Sequence, residues 1–395
     1  MRESIKDKVA IIGMGCTRFG ERWDASAGDM IVEAASEAFE DAGVEPKDIQ
    51  AAWGGTLWTG LTGMTVGHAL KLQFIPITRV ENACCSGTEA LRNAAYAVAS
   101  GVYDLVLAVG YEKIKDLGSP GVPMAQGSGT PTQVFPQASA PGLFAMLATR
   151  YFARYGLGRE EGKTMLAKIS VKSHDNGFLN PKAHLRRKIT VEQVLAAPII
   201  AWPLGLFDCC GTSDGAAAAI LTRADMARSF KDDPVYIKAL QVAVGFGAGD
   251  MRTDYDYTHV EEAYRAGQAA YAEAGVTNPR QQISMAEVHD CFSITEAIVM
   301  EDLEFSPRGR VNEDIDAGIF LLTGELPVQP DGGLKCFGHP VGASGVRMIY
   351  ECYLQLRGKA GERQIKNPKL GLTHNQGGQP PSAAVAVSIV GRDIG

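Results

Sequence analysis

Short apolar runs alternate along the chain with stretches in which apolar residues recur every three or four positions. Residues 8–12 predict a buried strand, and residues 105–109 predict a central strand that is apolar on both faces. Amphipathic helices are predicted over residues 29–42 and 88–100, and a strand-like run at 77–80 precedes the second helix. Strands that alternate with helices in this way predict an α/β architecture.

The pattern also repeats within the chain. Residues 38–44, AFEDAGV, closely resemble residues 270–276, AYAEAGV, and each segment closes a predicted helix and leads through a proline toward a strand candidate. Later, the triplet Cys85-Ser86-Gly87 before a predicted helix is matched by Ala343-Ser344-Gly345 before another. Two matches in the same order predict two duplicated α/β halves.

A region of different character separates the two repeats. It begins with residues typical of loops (Gly, Pro, Ser and Gln), continues with helical stretches and contains a basic cluster at residues 184–188. We interpret residues 119–204 as an insertion into the first half. The predicted domains are therefore an N-terminal half at 1–118 and 205–232, the insertion, and a C-terminal half at 233–395.

Composition narrows the function classes. The 395 residues are 46% hydrophobic and 21% charged, typical of a globular protein with two or more domains. A net charge of -7 argues against a nucleic-acid binder driven by overall charge. We expect no membrane span and no secretory signal, because no apolar run is long enough.

The cysteines point to a reducing compartment. Eight cysteines in a chain of this length do not predict a disulfide framework, and the cytoplasm is the expected location. The pairs Cys84-Cys85 and Cys209-Cys210 lack zinc-ribbon spacing, so no structural metal site is predicted.

Cys84 is the first candidate for chemistry. A strand-like run enters the segment ENACCSG, and a helix follows, so the thiol lies at a strand-to-helix turn. The field of a helix N-terminus favours the thiolate, and the small residues Ser86 and Gly87 allow close approach of a substrate. A buried structural cysteine is an equally good interpretation of this segment alone. The neighbouring Cys85 is interpreted as structural.

Two histidines lie in unusual settings. His339 lies in the glycine-flanked segment GGLKCFGHPVGASG, which can bring an imidazole and backbone donors to a ligand. His289 follows a strand-like run in the segment EVHDCF. A single histidine is more often structural than catalytic. The presence of two in such segments raises the expectation of a catalytic role only modestly.

Taken together, these segments resemble a known family. The motifs Cys84-Cys85-Ser86-Gly87, His289-Asp290-Cys291-Phe292 and Gly338-His339-Pro340 resemble the signature motifs of the sterol-carrier-protein-type thiolases. Further matches occur at Asn176, Asn180-Pro181, Asp208-Cys209-Cys210, Ser213-Asp214-Gly215 and His374-Asn375. The resemblance extends over nearly the whole chain in the right order, and the set is far more specific than any one motif.

The resemblance implies a five-layered α-β-α-β-α fold of two duplicated halves with an inserted loop domain. It implies that Cys84 takes the acyl group, that His339 removes the thiol proton and that His289 helps to hold the thioester oxygen. Better-known thiolases carry a second catalytic cysteine near the C-terminus, which this chain lacks, so Cys291 is the expected acid/base. The backbone N–H groups of Cys84 and Gly378 are expected to form an oxyanion hole.

The same resemblance implies coenzyme A as co-substrate and no permanently bound cofactor. Arg186, Arg187 and Lys188 are candidates for contacts with its phosphates, and Asn375 is a further candidate for binding coenzyme A or substrate. A run of charges is more often a solvated surface, so both interpretations of the basic cluster stand.

Three functions remain in competition. The expected one is a thiolase acting on a 3-ketoacyl-CoA of unspecified acyl chain. The second is an aldolase or condensing synthase of the same fold, against which Cys84 and the HDCF motif count. The third is a non-catalytic acyl-CoA-binding subunit. A homodimer or homotetramer is expected by analogy, and a separately encoded zinc-ribbon/OB-fold protein is a candidate partner.

Overall fold

The computed structural model describes residues 4–118, 139–247, 254–379 and 382–395. The strands are β1 (Val9–Cys16), β2 (Ala51–Gly55), β3 (Ile77–Val80), β4 (Leu105–Glu112), β5 (Ile199–Ala201), β6 (Leu204–Gly205), β7 (Gly215–Arg223), β8 (Val235–Val244), β9 (Met285–Glu287), β10 (Leu370–Gln379) and β11 (Ser382–Gly391). The α-helices are α1 (Ala27–Ala42), α2 (Met64–Leu70), α3 (Ser86–Ala99), α4 (Ala140–Tyr155), α5 (Arg159–Phe178), α6 (Val191–Leu195), α7 (Ala227–Phe230), α8 (Glu261–Ala274), α9 (Pro279–Gln282), α10 (Ser293–Asp302), α11 (Val311–Asp316), α12 (Gly333–Phe337) and α13 (Val341–Leu356).

The order of the strands displays the duplication. A nine-stranded sheet runs β3-β2-β4-β7-β1 and then β8-β11-β10-β9. In the first half β2 and β4 are parallel while β7 and β1 are antiparallel to their neighbours, and β9, β10, β11 and β8 repeat this pattern. A parallel bridge between Ala286 and Val328 takes the place of β3 at the second edge. The halves join where β1 pairs with β8 at only two positions, Ala10 with Tyr236 and Ile11 with Val235.

The predicted repeat of helix ends is confirmed. Helices α1 and α8 both end at a glycine in the left-handed region, Gly43 at φ +69° and Gly275 at φ +80°. Glycine adopts these positive φ values at little steric cost, which explains why both helix ends share the sequence AGV. The triplet match is less regular than expected, because Ser86 is the first residue of α3 whereas Ser344 lies inside α13, which begins at Val341.

Alternation of side chains along the strands produces five layers. In β1, Ala10 and Ile12 face α1 on the outside of the first half, while Val9 and Ile11 face inward. Helices α3 and α13 pack against each other in the middle, and α13 contacts strands of both halves. Helix α8 covers the outer face of the second half. The order is therefore α-β-α-β-α, as the resemblance implied.

Helices α4, α5 and α6 and strand β5 lie within the predicted insertion, whose predicted end at residue 204 falls inside β6. Helix α5 packs against α10 and α12, both of which lie in the predicted C-terminal half. The loop-like opening of the insertion, residues 119–138, lies outside the described residues, so its boundaries stay a prediction. No described helix combines the length and apolarity needed to cross a membrane. All eight cysteines are free thiols.

Candidate active site

The turn that carries Cys84 is held by its own hydrogen bonds. The Ser86 hydroxyl accepts from the Asn82 backbone N–H at 2.8 Å and donates to the Ala83 carbonyl at 2.5 Å. Ala83 has φ +49°, a left-handed conformation that alanine rarely adopts. The thiol of Cys85 is buried and donates to the Asn82 carbonyl at 2.9 Å. The turn therefore leaves Cys84 half-buried at the start of α3 while Cys85 packs inward.

His339 occupies the corresponding place before α13. Its backbone N–H donates to the Gly211 carbonyl at 2.9 Å, and its Nδ1 lies 2.8 Å from the Ser344 hydroxyl. Because that hydroxyl donates to the Pro340 carbonyl at 3.1 Å, its oxygen accepts from Nδ1–H of His339. The Nε2 atom is left with a free lone pair, and no described residue hydrogen-bonds to it.

His289 is oriented by a different set of contacts. Its backbone N–H donates to Nδ1 of His374 at 3.4 Å, and its own Nδ1 lies 3.4 Å from Nδ2 of Asn375. The Thr88 hydroxyl donates to Oδ1 of Asn375 at 3.1 Å, which turns the amide nitrogen toward the ring. An Nδ1 that accepts from this amide leaves the proton on Nε2. The two imidazoles therefore present opposite groups, a donor on His289 and an acceptor on His339.

Three of the predicted residues meet at one point. The sulfur of Cys84 and one ring nitrogen each of His289 and His339 all lie within 4.8 Å of one another. The two imidazole rings are edge to face, with centroids 5.1 Å apart. Cys291 is buried beside them, with its sulfur 3.8 Å from the Thr295 hydroxyl. Residues separated by more than two hundred positions thus form one cluster.

Burial dominates the electrostatics of the cluster. It raises the pKa of the Cys84 thiol, and the backbone N–H of Gly378 offsets only part of this rise. Burial, with a smaller contribution from Arg347, lowers the pKa of His339 to about 3. Burial also lowers the pKa of His289 well below its usual value. Burial therefore favours a thiol beside neutral imidazoles and opposes the thiolate that the helix field favours.

Asp290 links the His289 segment to the segment that carries His339. Its carboxylate accepts from the backbone N–H of Leu334 at 2.7 Å and of Lys335 at 3.2 Å, both in α12. Gly333, at φ +62°, leaves room for this carboxylate, because a Cβ there would overlap it. The position of α12, and with it His339, is therefore set from the HDCF motif.

Behind the imidazoles lies a buried ion network that the sequence did not indicate. Arg347 of α13 contacts Glu287 at 2.9 Å and also pairs with Asp331. Its guanidinium lies 4.9 Å above the ring of Phe337. Glu287 is the last residue of β9, two positions before His289. Arg347 therefore connects the helix that follows one imidazole to the strand that delivers the other.

A second missed residue, Glu112, lies on the Cys84 side. Its buried carboxylate accepts from the Thr56 hydroxyl at 2.9 Å and from the backbone N–H groups of residues 57–59 at 2.8 to 3.1 Å. It also accepts from the Gly342 N–H at 3.2 Å, in the first turn of α13. The sequence signal for this residue was a glutamate at the end of an apolar strand. A charged side chain in that position is buried only when it has several partners.

With this geometry in place, comparison with known proteins identifies the family. Residues 9–225 match the thiolase N-terminal domain, and residues 248–390 match the thiolase C-terminal domain-like family. The chain belongs to the thiolase family.

Whole-length relatives specify the branch of the thiolase family. An acetyl-CoA acetyltransferase of Methanothermobacter thermautotrophicus is 43% identical over 386 residues, covering 96% of this chain and 98% of the relative. Sterol carrier protein 2 of Gallus gallus is 32% identical, covering 94% of this chain and 70% of that protein. The resemblance to the sterol-carrier-protein-type branch is therefore confirmed, and this thiolase is an acyltransferase.

Solved structures agree on the fold of this thiolase. The Ltp2-ChsH2(DUF35) aldolase superimposes with a TM-score of 0.86 at 26% identity, covering 99% of each chain. An acetyl-CoA acetyltransferase from Syntrophomonas wolfei superimposes with a TM-score of 0.69 at 21% identity, covering 98% of this chain and 99% of that one. Both likenesses span nearly the whole chain.

The remaining predicted residues of this thiolase lie apart from the cluster or beside it. Arg186 donates to the Phe178 carbonyl at 3.1 Å, and Arg187 and Lys188 line a cavity of about 340 Å³ with Phe207. No hydrogen bond or ion pair in the described ranges joins these three basic side chains to the Cys84 cluster. Asn375 is buried against His289, so it belongs to the cluster itself, and its contact with coenzyme A stays a prediction.

Proposed function

We propose that this protein is a thiolase that cleaves a 3-ketoacyl-CoA with coenzyme A, or runs the reverse condensation, through an acyl group carried on Cys84. The observation that carries the proposal is the convergence of the Cys84 sulfur with ring nitrogens of His289 and His339 within 4.8 Å. Relatives named acetyl-CoA acetyltransferase at 43% and 40% identity support the same activity.

His339 is the proposed base for Cys84. Its Nε2 carries a free lone pair because Nδ1–H is held by Ser344. The Cys84 proton moves to Nε2 as the sulfur attacks the 3-keto carbon, since neither group is charged beforehand. The Cα–Cβ bond then breaks, and the electron pair passes to the enolate of the shorter acyl-CoA. Once Cys291 has protonated the enolate carbon, the His339 imidazolium returns its proton to the Cys291 thiolate, and the neutral imidazole then accepts the proton of coenzyme A. The coenzyme A thiolate attacks the acyl group, and Cys84 leaves as a thiol by taking that proton back from His339.

The negative charge that develops on oxygen needs fixed donors. His289 presents Nε2–H because Asn375 donates to its Nδ1, which suits it to the thioester oxygen of the enolate. The backbone N–H of Gly378 points to the Cys84 thiol, so we assign this N–H and that of Cys84 to the oxygen of the acyl intermediate. Two oxyanion sites thereby flank one nucleophile.

Cys291 is the proposed proton donor to the enolate carbon. Burial raises the pKa of its thiol, and a charge on Cys84 raises it further. A thiol with a raised pKa stays protonated while the C–C bond breaks, and it is ready to deliver its proton to carbon. In the condensing direction the same sulfur removes the α-proton.

The proposed site for the coenzyme A phosphates is the basic cluster Arg186, Arg187 and Lys188, within a loop domain at residues 119–204. We place the N-terminal half at 1–118 and 205–232 and the C-terminal half at 233–395. A homodimer or homotetramer in the cytoplasm is the proposed form, and the DUF35 component of the aldolase neighbour supports a separate zinc-ribbon/OB-fold partner. Coenzyme A is proposed as co-substrate, with no permanently bound cofactor.

Trapping the acyl-enzyme tests the proposal. The protein is incubated with acetoacetyl-CoA and with long-chain, branched, steroid and aromatic 3-ketoacyl-CoAs, then digested for mass spectrometry. We expect an acyl group on the Cys84 peptide for the substrate class that is turned over. Cys84→Ser should lose thiolysis by at least about a thousandfold, while Cys352→Ser, whose thiol faces the Leu372 carbonyl and is not one of the reacting groups, should keep it. Near-normal thiolysis by Cys84→Ser would refute the assignment.

An aldolase is the second candidate, and the TM-score of 0.86 to the Ltp2-ChsH2(DUF35) aldolase favours it. Cleavage of a 3-hydroxyacyl-CoA to a carbonyl compound and a shorter acyl-CoA requires no acyl-cysteine. Turnover of 3-hydroxyacyl-CoA that survives Cys84→Ser, without any labelled Cys84 peptide, would establish the aldolase and exclude the thiolase.

A further inference from the structure

We propose that Cys84, His289 and His339 also form a binding site for Zn²⁺, at which the metal blocks the nucleophile. One sulfur and two ring nitrogens lie within 4.8 Å of one another. Among the described residues, this is the one group of three or more His, Cys, Asp or Glu side chains with its ligand atoms so close. None of the three atoms is committed to an ion pair within the described ranges.

The donor set suits zinc. Thiolate and imidazole are both zinc ligands, and three protein ligands with an open fourth position are the arrangement of zinc sites that bind a water or substrate. Zn–S and Zn–N bonds of about 2.3 and 2.1 Å place tetrahedral donors about 3.6 Å apart. Closing from 4.8 Å therefore takes about an ångström of movement, shared between two side chains.

Both histidines have the outer contacts that zinc-binding histidines need. His339 already donates Nδ1–H to Ser344 at 2.8 Å and presents its free Nε2 lone pair. Beside His289, the Asn375 amide can offer its oxygen to Nδ1–H after a half-turn, because the Thr88 hydroxyl is able to donate or accept. Such partners fix the tautomer and orientation of a ligating imidazole.

The atoms and charges of the zinc-binding step balance without a further reactant. Zn²⁺ displaces the proton of the Cys84 thiol to solvent and forms one Zn–S and two Zn–N bonds, with a water in the fourth position. No electron is transferred and no further reactant is needed. A sulfur bound to zinc in this pocket is unavailable for attack on a thioester, so the inference goes beyond the proposed function while its binding test does not depend on it.

Cobalt provides the spectroscopic probe. We expect anaerobic titration of the purified protein with Co²⁺ to give a thiolate-to-cobalt charge-transfer band that saturates at one Co²⁺ per chain, and Zn²⁺ should displace it. Cys84→Ala should abolish the band, and His289→Ala should weaken binding at least about tenfold. His68→Ala, on the exposed part of α2, is the matched control and should leave the titration unchanged.

Alkylation of the wild-type protein with iodoacetamide tests the same sulfur without a substitution, so a misfolded variant cannot decide the result. A band that survives Cys84→Ala or alkylation, or its absence from wild-type protein, would overturn the site. Zn²⁺ should also abolish thiolysis, with recovery on adding EDTA; full thiolysis under saturating Zn²⁺ would overturn the blocking role. A cobalt signal from a protein that lacks thiolysis would refute the proposed function and support the metal site.

Discussion

The two helices of the middle layer serve the same purpose in different surroundings. Helix α3 begins two residues after Cys84, and α13 begins two residues after His339. The buried side chains of α3 are small or apolar apart from Thr88, Ser86 and Glu89. Helix α13 is buried almost throughout and includes the charged residues Arg347 and Glu351.

The difference shows how each half of the site is held. The Cys84 side is positioned by a tight turn, by close backbone contacts and by the hydrogen bonds that Glu112 accepts without a cation among its described partners. Charge positions the imidazole side, because Arg347 joins α13 to Glu287 at the end of β9, and Glu351 pairs with Arg363 at 2.8 Å. Altering one kind of support at a time should therefore separate their contributions.

The largest effect is expected at Arg347. Arg347→Met leaves the carboxylates of Glu287 and Asp331 buried without their cation, and should lower the free energy of unfolding by about 3 to 5 kcal/mol. Urea unfolding followed by circular dichroism measures it. Glu89→Gln is the control in α3: it removes the ion pair with the partly exposed Arg92 at 3.0 Å, but the glutamine oxygen can still accept from Asn82 or Asn93, so it should cost only about 1 kcal/mol. Equal losses in both variants would remove the contrast between the helices.

Close backbone packing at the start of α13 should come next. In Gly342→Ala the new Cβ would overlap the Gly55 carbonyl and lie 2.5 Å from the Tyr111 carbonyl, so we expect a loss of about 3 kcal/mol in the free energy of unfolding. Gly28→Ala, also at the second position of its helix, meets nothing closer than 3.6 Å and should be neutral or slightly stabilising. An unchanged melting temperature in Gly342→Ala would contradict the close-packing argument.

Ser344 tests how the base is oriented. Ser344→Ala removes the acceptor for Nδ1–H of His339, which should cost about 1.5 to 3 kcal/mol, or roughly ten- to hundredfold in kcat/KM for thiolysis. The rate at which iodoacetamide alkylates Cys84 should fall as well, a change that a loss of stability alone would not produce. Ser100→Ala, whose hydroxyl bonds only to the Ala97 carbonyl at the end of α3, serves as control. Wild-type alkylation and turnover in Ser344→Ala would dismiss the orienting role.

The smallest effect, taken over a single pH unit, concerns the protonation of buried histidines. Burial lowers the pKa of both His339 and His374 to about 3, from an ordinary value of 6.5, so the unfolded chain binds protons that the folded chain refuses. The stability that these two imidazoles contribute is therefore fully present above about pH 6.5 and is lost as the pH drops toward 3, by about 1.4 kcal/mol per pH unit for each imidazole. His374→Gln should lower the slope of the unfolding free energy against pH by the contribution of one bound proton. Urea titrations between about pH 7 and 5 measure this slope. An identical slope in both proteins would contradict the assignment.

Much of the fold was predictable because it depends on local patterns. The strand at residues 77–80 and the glycine ends of α1 and α8 follow from apolar runs and from the φ that only glycine adopts readily. The predicted strand at 105–109 was too short, since β4 continues to Glu112. Glu112 was left outside the predicted strand because the sequence does not show the partners that allow a charged residue to be buried at the end of an apolar run.

The candidate site was predictable only in its reactive residues. Cys84, His289 and His339 stand out through their motifs, and the structure brings them together. Arg347 and Ser344 were missed because their roles depend on contacts between segments distant along the chain. In a helix, an arginine is typical of a solvated face, and only the packing of α13 between both sheet halves makes Arg347 internal.

The carboxylate of Glu112 has a consequence for when the site is assembled. It binds residues 57–59 and also the Gly342 N–H, a partner 230 residues later in the chain. A ribosome delivers that partner only as the last part of the chain emerges. The contacts of Glu112 with residues 57–59 can therefore form before its contact with α13, and we expect a growing or truncated chain to hold Cys84 without its base.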